Sequence, residues 1–377
     1  MARIVHLANM YSPVSGGLRT TVHALGETYL ALGQDFTVIV PGQKFKKIKT
    51  SFGTKYEIPS IPIPFSGGYR LIIRTSIVKK LLLRISPDMI EISDRLTLLL
   101  LSHWARSVGF RTTVFAHERL DGVLTAYFGK FFPAAKAADL WNRFSARGID
   151  NFVATTKYAA AEYERIGITT NIIPLGVDID RFSSDFYSDF VRKEFQVEQI
   201  LVLGMTRLSK EKDPQFLIEI AREIQKDNLR VKIVVLGDGP MRKSLEKTST
   251  AEGLPICFLG HVSDRSRISS LLASADVFVA PGPIETFGLA ALEALASGTP
   301  VVCRDTGAIL EVIDFSCGSS EVRDATAWIS RINQWANMNK GDSRILARKR
   351  AEQFSWHFCA NSLLDLYGLA SSDRKVA

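Results

Sequence analysis

The sequence predicts an α/β protein made of two domains that each contain a parallel β-sheet. Short apolar runs, typical of strands buried on both faces, alternate with helical segments along the 377 residues. Loops rich in glycine and polar residues follow several of these strands, at the edge where open α/β sheets bind ligands. The alternation occurs in two sets of similar size, separated by a loop-like stretch at residues 175–182. We therefore expect two Rossmann-like domains, residues 1–180 and residues 181–355, followed by a final helical segment.

The first domain opens with a strand, a loop that ends in Gly16-Gly17, and a helix that Gly33 terminates. The dinucleotide fingerprint GxGxxG is absent, but Gly16-Gly17 allows a ligand to approach the backbone closely. A tight turn is the alternative explanation of the two glycines. Residues 50–65 are rich in proline and are predicted to be a loop. The predicted strands are residues 3–8, 36–40, 88–92, 111–115, 151–155 and 171–174. The predicted helices are residues 19–32 and 71–85, a helix that ends near residue 147 and a helix that starts at residue 157.

A cluster of polar side chains follows the predicted strand at residues 111–115. It consists of His117, Glu118, Arg119 and Asp121. Because ligands of open α/β sheets bind at the carboxyl ends of the strands, this position favours a substrate contact, above all for His117. A helix cap or a supporting role is the alternative for each of the four.

The second domain repeats the pattern, and two cations follow its first strand. Arg207 and Lys212 lie in the loop before a helix that starts near Pro214, with Asp213 as the expected N-cap. Paired cations at a strand end are typical of phosphate binding, and a solvated loop is the alternative. The predicted strands are residues 199–203, 231–236, 255–259, 275–280 and 301–303, and the end of the chain is predicted to be helical over residues 344–369.

Residues 281–298 contain the strongest candidate site. They follow the apolar strand at residues 275–280, and they combine a Gly/Pro-rich loop with a run of helix formers. The unpaired N–H groups of the first helical turn, near residues 286–290, favour a diphosphate. Glu285 and Glu293, with seven residues between them, would then accept hydrogen bonds from sugar hydroxyls. The alternative for Glu293 alone is a solvated helix residue.

Composition places the chain among soluble globular proteins. Hydrophobic residues make up 46% and charged residues 23% of the chain. We find no apolar run of the ~18 residues that a membrane-spanning helix needs, and no signal-peptide core at the N-terminus. The four cysteines lack Cys-x-x-Cys spacing, so we expect reduced thiols in a cytoplasmic protein. No zinc spacing, RNP motif or basic recognition helix suggests nucleic-acid binding.

The positive charge lies entirely in the first half. Residues 1–180 contain 22 Lys and Arg against 14 Asp and Glu, whereas residues 181–377 contain 25 of each. Two basic clusters are interleaved with large apolar side chains: residues 44–49, and Arg74, Lys79, Lys80 and Arg84. This pattern favours an anionic membrane surface, and ordinary solvated surfaces are the alternative.

Taken together, the motifs resemble those of the retaining glycosyltransferases of family 4, which have the GT-B fold. Within that family, VSGGLRT and AHERLDG are most similar to actinobacterial mannosyltransferases that elongate phosphatidylinositol mannosides, especially the one acting on the dimannoside. The matching motifs follow the family order over nearly the whole chain: Gly16-Gly17, LGVD at residues 175–178, R-x4-K at Arg207 to Lys212, LGDGP at residues 236–240, FLGHV at residues 258–262 and E-x7-E at Glu285 to Glu293.

The resemblance implies a role for each motif. Arg207 and Lys212 would hold the diphosphate and stabilise it as it leaves, Glu285 would bind sugar hydroxyls, and His117 would touch the sugar near the reacting carbon. Gly16 and Gly17 would let the first domain close on the donor. The further donor-binding residues implied are Val262 in FLGHV, the backbone of Phe287, Gly288 and Leu289, and Glu293 for the ribose.

The resemblance also suggests the donor and the partners. Family members that use GDP-mannose carry an acidic and a basic residue, three positions apart, just after the strand of the FLGHV motif. Asp264 and Arg267 fit that spacing. Asp264 is equally suited to capping a helix. The implied partners are a lipid-linked acceptor and an anionic membrane, with peripheral attachment at the cytoplasmic face of the plasma membrane. The segment from about residue 356 to 377 would cross back to the first domain.

The implied chemistry needs no cofactor beyond the donor substrate. The acceptor hydroxyl attacks on the face that the diphosphate leaves, and the leaving phosphate takes its proton, so no protein nucleophile is required. The sequence contains no paired-carboxylate glycosidase pattern and no metal-ligand cluster, so metal dependence is not predicted. Three alternatives remain open: a UDP-sugar-dependent transferase, a nucleotide-sugar 2-epimerase, and a nucleotide-sugar-binding subunit without activity.

Overall fold

A computed structural model describes residues 1–11, 16–63, 68–117, 119–129 and 131–370. The chain forms two compact units. The first unit contains Met1–Asp121, Phe131–Gly176 and the segment that starts at Trp356, and the second contains Gly122–Lys130 and Val177–Ser355.

The first unit is built on a large sheet with helices between its strands. Its strands are β1 (Arg3–Leu7), β2 (Asp35–Gly42), β3 (Lys46–Thr50), β4 (Gly53–Pro59), β5 (Ile61–Pro62), β6 (Arg70–Leu71), β7 (Met89–Ile92), β8 (Thr112–Ala116), β9 (Asn151–Ala154) and β10 (Asn171–Ile172). Its helices are α1 (Gly17–Ala31), α2 (Thr75–Ile85), α3 (Leu101–Ser107), α4 (Leu120–Phe128), which runs across the boundary, α5 (Ala134–Ser145) and α6 (Lys157–Glu164). In the described part of the chain the sheet order is β10-β9-β8-β7-β1-β2-β4-β3, with β3 antiparallel and the other pairs parallel.

The second unit contains a fully parallel sheet of order β13-β12-β11-β14-β15-β16. Its strands are β11 (Ile200–Met205), β12 (Val231–Leu236), β13 (Ile256–Gly260), β14 (Val277–Ala280), β15 (Val301–Arg304) and β16 (Gly318–Glu321). Its helices are α7 (Asp189–Glu194), α8 (Gln215–Lys226), α9 (Arg242–Ala251), α10 (Arg265–Ser274), α11 (Leu289–Ala296), α12 (Ile309–Val312), α13 (Ala325–Asn337) and α14 (Lys340–Ala351). Short 3₁₀ turns occur at Ser184–Phe186 and Lys210–Lys212.

Both strand orders are of the doubly wound kind. In the first sheet β1 lies between β2 and β7, and in the second β11 lies between β12 and β14. In each sheet the chain moves outward from this central strand in one direction and then in the other. A crevice therefore opens at the carboxyl ends of the two neighbouring strands where the direction changes, which are β11 and β14 in the second sheet. The loops after β11 and β14, which carry the predicted donor-binding residues, therefore meet at one edge of the second sheet.

Apolar patterning explains why these segments pack as they do. In the second unit β11 is buried on both faces, as the apolar run predicts. Helix α8 buries one stripe, which includes Phe216, Ile220 and Ile224. The Phe216 ring packs edge-on against Trp328, with the centroids 5.2 Å apart. Each such side chain contributes about 1.5–3 kcal/mol by leaving water.

The prediction of a loop at residues 50–65 is wrong for residues 53–59 and 61–62, which form strands. Residues Gly53–Pro59 form β4, which pairs parallel with β2, and the basic residues at 46–50 form β3, an antiparallel edge strand. In β4 only one face is buried, by Tyr56 and Ile58, while Lys55 and Glu57 alternate with them on the other face. The polar residues of that alternation made the segment look like a loop.

Two helical predictions need correction. The helix predicted at residues 71–85 begins only at Thr75, because Arg70–Leu71 pairs with Ile61–Pro62. The helical stretch predicted at residues 344–369 is interrupted between α14 and a last helix, α15 (Trp356–Leu366).

Helix α15 groups with the first unit. It packs against α1 and buries Cys359, Leu363 and Leu364. The Arg111 guanidinium donates to the Tyr367 carbonyl oxygen at 2.6 Å, just after the helix ends. The last helix therefore completes the core of the first unit.

Candidate active site

Two predicted site residues meet at the carboxyl ends of β11 and β14. The Lys212 ammonium Nζ lies 2.8 Å from Glu285 Oε2 and donates to the Ile284 carbonyl oxygen at 3.0 Å. Both side chains are only partly buried, with about a quarter of each exposed. The ammonium group is thus held in a fixed position at the crevice while remaining accessible to an anion.

A pocket occupies this edge of the second sheet. It is lined by residues from the loops after β11 and β14 and from the start of α11, among them Thr206, Gly282, Glu285, Gly288 and Ala290. Lys212 also passes close to Gly282, where a Cβ atom would lie 3.3 Å from the Lys212 Cδ. A larger residue at this position would push the lysine stem away from the pocket.

Helix α11 points its N-terminus at the pocket and begins later than predicted. Its first residue is Leu289, and its N-cap is Gly288 with φ +96°, a conformation that favours glycine. The Phe287 side chain is buried and packs edge-on against Phe354 at 5.9 Å, so only its backbone faces the site. The turn at 287–289 therefore begins α11 beside the pocket, and binding of a diphosphate by its backbone N–H groups stays a prediction.

The loop that carries Arg207 is anchored by LGDGP. The Thr206 amide donates to the Leu236 carbonyl oxygen and the Leu208 amide to the Asp238 carbonyl oxygen, each at 3.0 Å. Gly237 has φ +125°, and a Cβ atom there would lie 1.9 Å from the Thr206 carbonyl oxygen. The LGDGP turn thus has a structural role, fixing the backbone on both sides of Arg207.

Glu293 is buried rather than solvated. Its side chain is 6% exposed, and its Oε1 accepts a hydrogen bond from Arg265 Nη2 at 2.7 Å. Burial raises the pKa of Glu293, and the Arg265 guanidinium opposes that rise. The solvated-helix alternative for Glu293 is therefore wrong, while its contact with a ribose stays a prediction. The sequence analysis missed Arg265 as the partner of Glu293; the Arg265 guanidinium also lies 5.0 Å from the Phe182 ring.

The predicted base-recognition residues lie together at the start of α10. Asp264 caps this helix, its Oδ1 accepting from the Ser266 amide at 2.9 Å. Arg267 pairs with Glu194. Val262 lies in the loop just before the cap and is partly exposed. The capping role of Asp264 is thus observed, and recognition of guanine by these side chains stays a prediction.

Asp213, the residue after Lys212, belongs to a charged cluster and is not the N-cap that the sequence predicted. The N-cap of α8 is Pro214, not Asp213, because Asp213 adopts φ +45° after the 3₁₀ turn. The Asp213 carboxylate instead accepts from Arg304 at 2.8 Å and from Arg323 at 2.9 Å. The Arg304 side chain is 7% exposed, so Asp213 neutralises a buried cation next to the site.

In the first unit, Gly16 is the N-cap of α1 and Gly17 its first residue. Gly16 has φ −82° and ψ −95°, and no described atom lies within 4 Å of where its Cβ would be. Residues 12–15, which precede it, lie outside the described residues. A tight turn and close approach of a ligand therefore both stay predictions for the two glycines.

His117 follows β8, is partly exposed and contacts a polar network whose other members are buried. Its Nε2 lies 2.7 Å from the Ser93 hydroxyl, and its ring stacks on Phe115 at 5.5 Å. Burial lowers the pKa of His117 to about 3, and the neighbouring His6 and Arg95 add to the effect. His117 is therefore neutral at physiological pH, which suits a hydrogen-bonding role rather than a cationic one.

The other residues of the His117 cluster have different surroundings. Arg119 and Asp121 form an ion pair at 2.8 Å, and Asp121 also pairs with Arg165 at 2.8 Å. These contacts indicate a structural role for both. Glu118 lies outside the described residues.

Two general features of the site concern metals and membranes. Among the residues that the structure describes, no group of three or more His, Cys, Asp or Glu side chains is arranged to hold a metal ion. No helix over those residues has the length and apolar character to cross a bilayer.

Comparison with known proteins identifies the family. The family models "Glycosyltransferase Family 4" and "Glycosyl transferases group 1" match residues 15–181 and 186–353. The chain is also 40% identical, over 97% of its length and 96% of the relative's, to a GDP-mannose-dependent alpha-(1-6)-phosphatidylinositol dimannoside mannosyltransferase of Mycobacterium tuberculosis. The chain belongs to glycosyltransferase family 4. The resemblance inferred from the motifs is thereby confirmed.

Solved structures confirm the fold of this glycosyltransferase. A sucrose-phosphate synthase from Thermosynechococcus elongatus matches with a TM-score of 0.80 at 19% identity, covering 98% of both chains. Anabaena HepE in complex with UDP and glucose matches with a TM-score of 0.76 at 18% identity, covering 98% of this chain and 100% of that one. At such identities the likeness concerns the fold alone, and the predicted GT-B class of two Rossmann-like domains is confirmed.

Proposed function

We propose that the glycosyltransferase moves mannose from GDP-mannose to a phosphatidylinositol mannoside with retention of the anomeric configuration. The observation that carries this proposal is the 40% identity, over almost the full length of both chains, to the mycobacterial enzyme whose name states that donor and that acceptor class. The site described above supports it, because a fixed ammonium group and a helix N-terminus are arranged to bind a diphosphate.

The proposed reaction breaks the bond between the mannosyl anomeric carbon and the donor phosphate oxygen. The electron pair leaves with GDP, whose growing negative charge is stabilised by Arg207, Lys212 and the start of α11. The acceptor hydroxyl oxygen bonds to the anomeric carbon on the same face, and its proton moves to the departing phosphate oxygen. Ile284 and Glu285 hold Lys212 in place, so little reorganisation is needed as charge develops.

The proposal also places the protein on an anionic membrane through its first unit. Strand β3 exposes Lys46, Lys47 and Lys49 along a sheet edge. Helix α2 exposes Lys80, Leu83 and Arg84, and Ile73 is exposed just before the helix begins; 57% of Leu83 and 52% of Ile73 are exposed. The exposed side of α5 and the segments next to it add further apolar and basic side chains: Phe131, Leu140 and Phe144, with Lys136, Arg143 and Arg147. Exposed basic groups interleaved with exposed apolar groups suit attachment to the cytoplasmic face of the plasma membrane.

A transfer assay tests the donor and the acceptor together. Radiolabelled GDP-mannose, UDP-glucose and UDP-N-acetylglucosamine are each incubated with the protein and a phosphatidylinositol mannoside. We expect label from GDP-mannose to enter the lipid fraction. Donor consumption without lipid labelling would overturn the acceptor, and use of a UDP-sugar alone would overturn the mannosyl donor. Sugar isomerised without any acceptor would instead indicate an epimerase, and binding without turnover an inactive subunit.

Membrane attachment is tested by charge reversal on α2. The double variant Lys80→Glu/Arg84→Glu should reduce flotation with vesicles containing phosphatidylserine at least tenfold, because each basic residue near an anionic surface contributes about 1 kcal/mol. The matched control, Lys243→Glu/Lys247→Glu, makes the same change in net charge at exposed residues of α9 in the second unit. It should float with the vesicles as well as the unaltered protein does. Equal binding of the unaltered protein to neutral and anionic vesicles would contradict the proposal.

A further inference from the structure

We propose that Arg304 is a positioning residue for the transfer reaction, because its guanidinium joins the two loops that carry Lys212 and Glu285. The inference rests on the proposed function, in which Lys212 stabilises the departing diphosphate. Arg304 is the last residue of β15, its side chain is 7% exposed, and it is not one of the described residues that line the pocket. It therefore acts on the donor through the loops that it holds.

One nitrogen atom of Arg304 contacts both loops. Its Nη2 donates to Asp213 Oδ2 at 2.8 Å and to the Pro281 carbonyl oxygen at 3.1 Å. Asp213 directly follows Lys212 in the loop after β11, and Pro281 begins the loop after β14 that contains Glu285. The spacing of the two loops is therefore set by a single planar group with N–H bonds in fixed directions.

The sheet register explains how Arg304 reaches both partners. Strands β14 and β15 pair in parallel with Ala280 opposite Cys303, so the next residues, Pro281 and Arg304, lie side by side. Asp213 follows β11, which is on the far side of β14. Two strand spacings amount to about 10 Å, so the group that bridges the loops has to be long.

The residues that follow Arg304 hold the same loop at two further points. The Thr306 hydroxyl donates to the Pro283 carbonyl oxygen at 3.3 Å, and the Ala308 amide donates to the Glu285 carbonyl oxygen at 2.8 Å. Together with the Arg304 contact, these bonds engage alternate carbonyl oxygens of the loop, and we call the three contacts the brace. Arg304 connects the brace to the loop after β11.

Stability alone does not account for Arg304. Its Nε atom is buried and has no hydrogen-bond partner among the described residues, and an unmet buried donor costs free energy. Buried ion pairs can often be replaced by apolar residues without loss of stability. The Phe216 ring, whose centroid lies 5.0 Å from the guanidinium carbon, further restricts where the charged group can sit. The arrangement supplies a fixed position at some cost in stability.

The spacing of the loops determines where the Lys212 ammonium lies. The stem of Lys212 runs against the second loop, since a Cβ atom at Gly282 would lie 3.3 Å from the Lys212 Cδ. A change in spacing therefore moves the ammonium relative to a bound diphosphate. Because preorganised charge matters most where new charge develops, such a displacement lowers kcat more than it weakens donor binding.

Arg304→Lys tests the bridge while it keeps the charge. Lysine is shorter and has no planar fork, so it cannot keep both bonds in the same geometry. With the donor that the transfer assay identifies, we expect kcat to fall about tenfold and KM for the donor to change at most about threefold. An unchanged kcat in the folded variant would overturn the proposal.

Arg323 provides the matched control. It donates to the same Asp213 carboxylate at 2.9 Å and lies 4.8 Å from the same Phe216 ring. Among the described residues its hydrogen bonds go to Asp213 and Glu219, and none goes to the loop after β14. Arg323→Lys should therefore leave kcat and KM unchanged. An equal loss of kcat in Arg304→Lys and Arg323→Lys would overturn the role of the bridge.

A double-mutant cycle separates positioning from a general structural effect. In the Lys212→Ala background, Arg304→Lys should cost at most about a further twofold in kcat, because the bridge acts through Lys212. Losses that multiply would show that Arg304 acts independently of the lysine, and they would overturn the proposal.

Inorganic pyrophosphate probes the site without reference to the sugar donor. Calorimetry on the full chain should show binding about threefold weaker in Arg304→Lys and unchanged in Arg323→Lys, since both variants keep the net charge. Equal binding by Arg304→Lys and the unaltered protein would overturn the inference. If none of the three donors is turned over, the proposed function fails, and pyrophosphate binding decides the inference by itself.

Thr306 keeps the proposal testable if Arg304→Lys does not fold. Thr306 is exposed, and Thr306→Val removes the hydroxyl that bonds to Pro283 while keeping the shape of the side chain. We expect kcat to fall about threefold, and Thr306→Ser, which keeps the hydroxyl, to restore most of it. Equal turnover by Thr306→Val and the unaltered protein would overturn the brace.

Discussion

Replacement of Lys212 by alanine is expected to reduce kcat about a thousandfold, and Arg207→Ala is expected to have an effect of similar size. Both cations lie in the loop after β11, and Lys212 is fixed by Glu285 and the Ile284 carbonyl oxygen. Preorganised donors aimed at developing charge are typically worth a factor of 10² to 10³ each, and more when the charge is a departing diphosphate. Steady-state transfer from GDP-mannose measures the loss.

A matched control is provided by Lys210, which is exposed in the same 3₁₀ turn. Lys210→Ala should retain full activity, and it removes the same charge only two residues from Lys212. Thermal unfolding of all three variants establishes that the folded state is unchanged. Turnover within threefold of the unaltered protein in both Lys212→Ala and Arg207→Ala would refute stabilisation of the leaving group by these side chains.

The second large effect concerns stability. Asp213→Ala should lower the free energy of unfolding of the second unit by about 3–5 kcal/mol, the cost of leaving a buried charge unpaired. Asp213 accepts from Arg304, which is nearly buried, and from Arg323, which also pairs with Glu219. Urea denaturation followed by fluorescence measures the difference.

Two further variants isolate the charge of Asp213. Asp213→Asn keeps the side-chain shape and tolerates the left-handed backbone at φ +45°, so the loss that remains reports the carboxylate. Glu219→Ala removes the partly exposed partner of Arg323 and should cost less than about 1 kcal/mol. Equal free energies of unfolding for Asp213→Ala and Glu219→Ala would show that the Asp213–Arg304 pair contributes no more to stability than the exposed Arg323–Glu219 pair.

Much of the fold follows from local patterns in the sequence. Strands such as β11 and β14 were predictable because they are continuous apolar runs, and both end in polar loops. Strand β4 was missed because its second face carries Lys55 and Glu57, and because the edge strand beside it is basic. A strand that is half exposed depends on its neighbours, and those are not visible in a short window of sequence.

The candidate site was predictable where chain order determines proximity. Lys212 and Glu285 follow two strands that a doubly wound sheet places side by side, so their meeting follows from topology. The pairing of Glu293 with Arg265 depends instead on how two helices pack, and no periodic signal reports that.

The buried contact between His6 and Glu91 left one signal in the sequence that went unused. Both residues stand among apolar neighbours in their strands, and a buried polar residue needs a partner. That rule predicts a partner for each residue, but it does not say which one.

The position of α15 affects how the protein is made. Helix α15 follows the whole second unit along the chain, yet it packs against α1, and the Tyr367 hydroxyl just after it donates to Glu91 in the first unit. Until α15 has been synthesised, the sheet of the first unit is complete but part of its apolar surface has no cover. Apart from Gly122–Lys130, the second unit is one uninterrupted stretch of chain and does not depend on a later segment. The first unit, most of which is translated before the second, therefore completes its core only after the second unit has been synthesised.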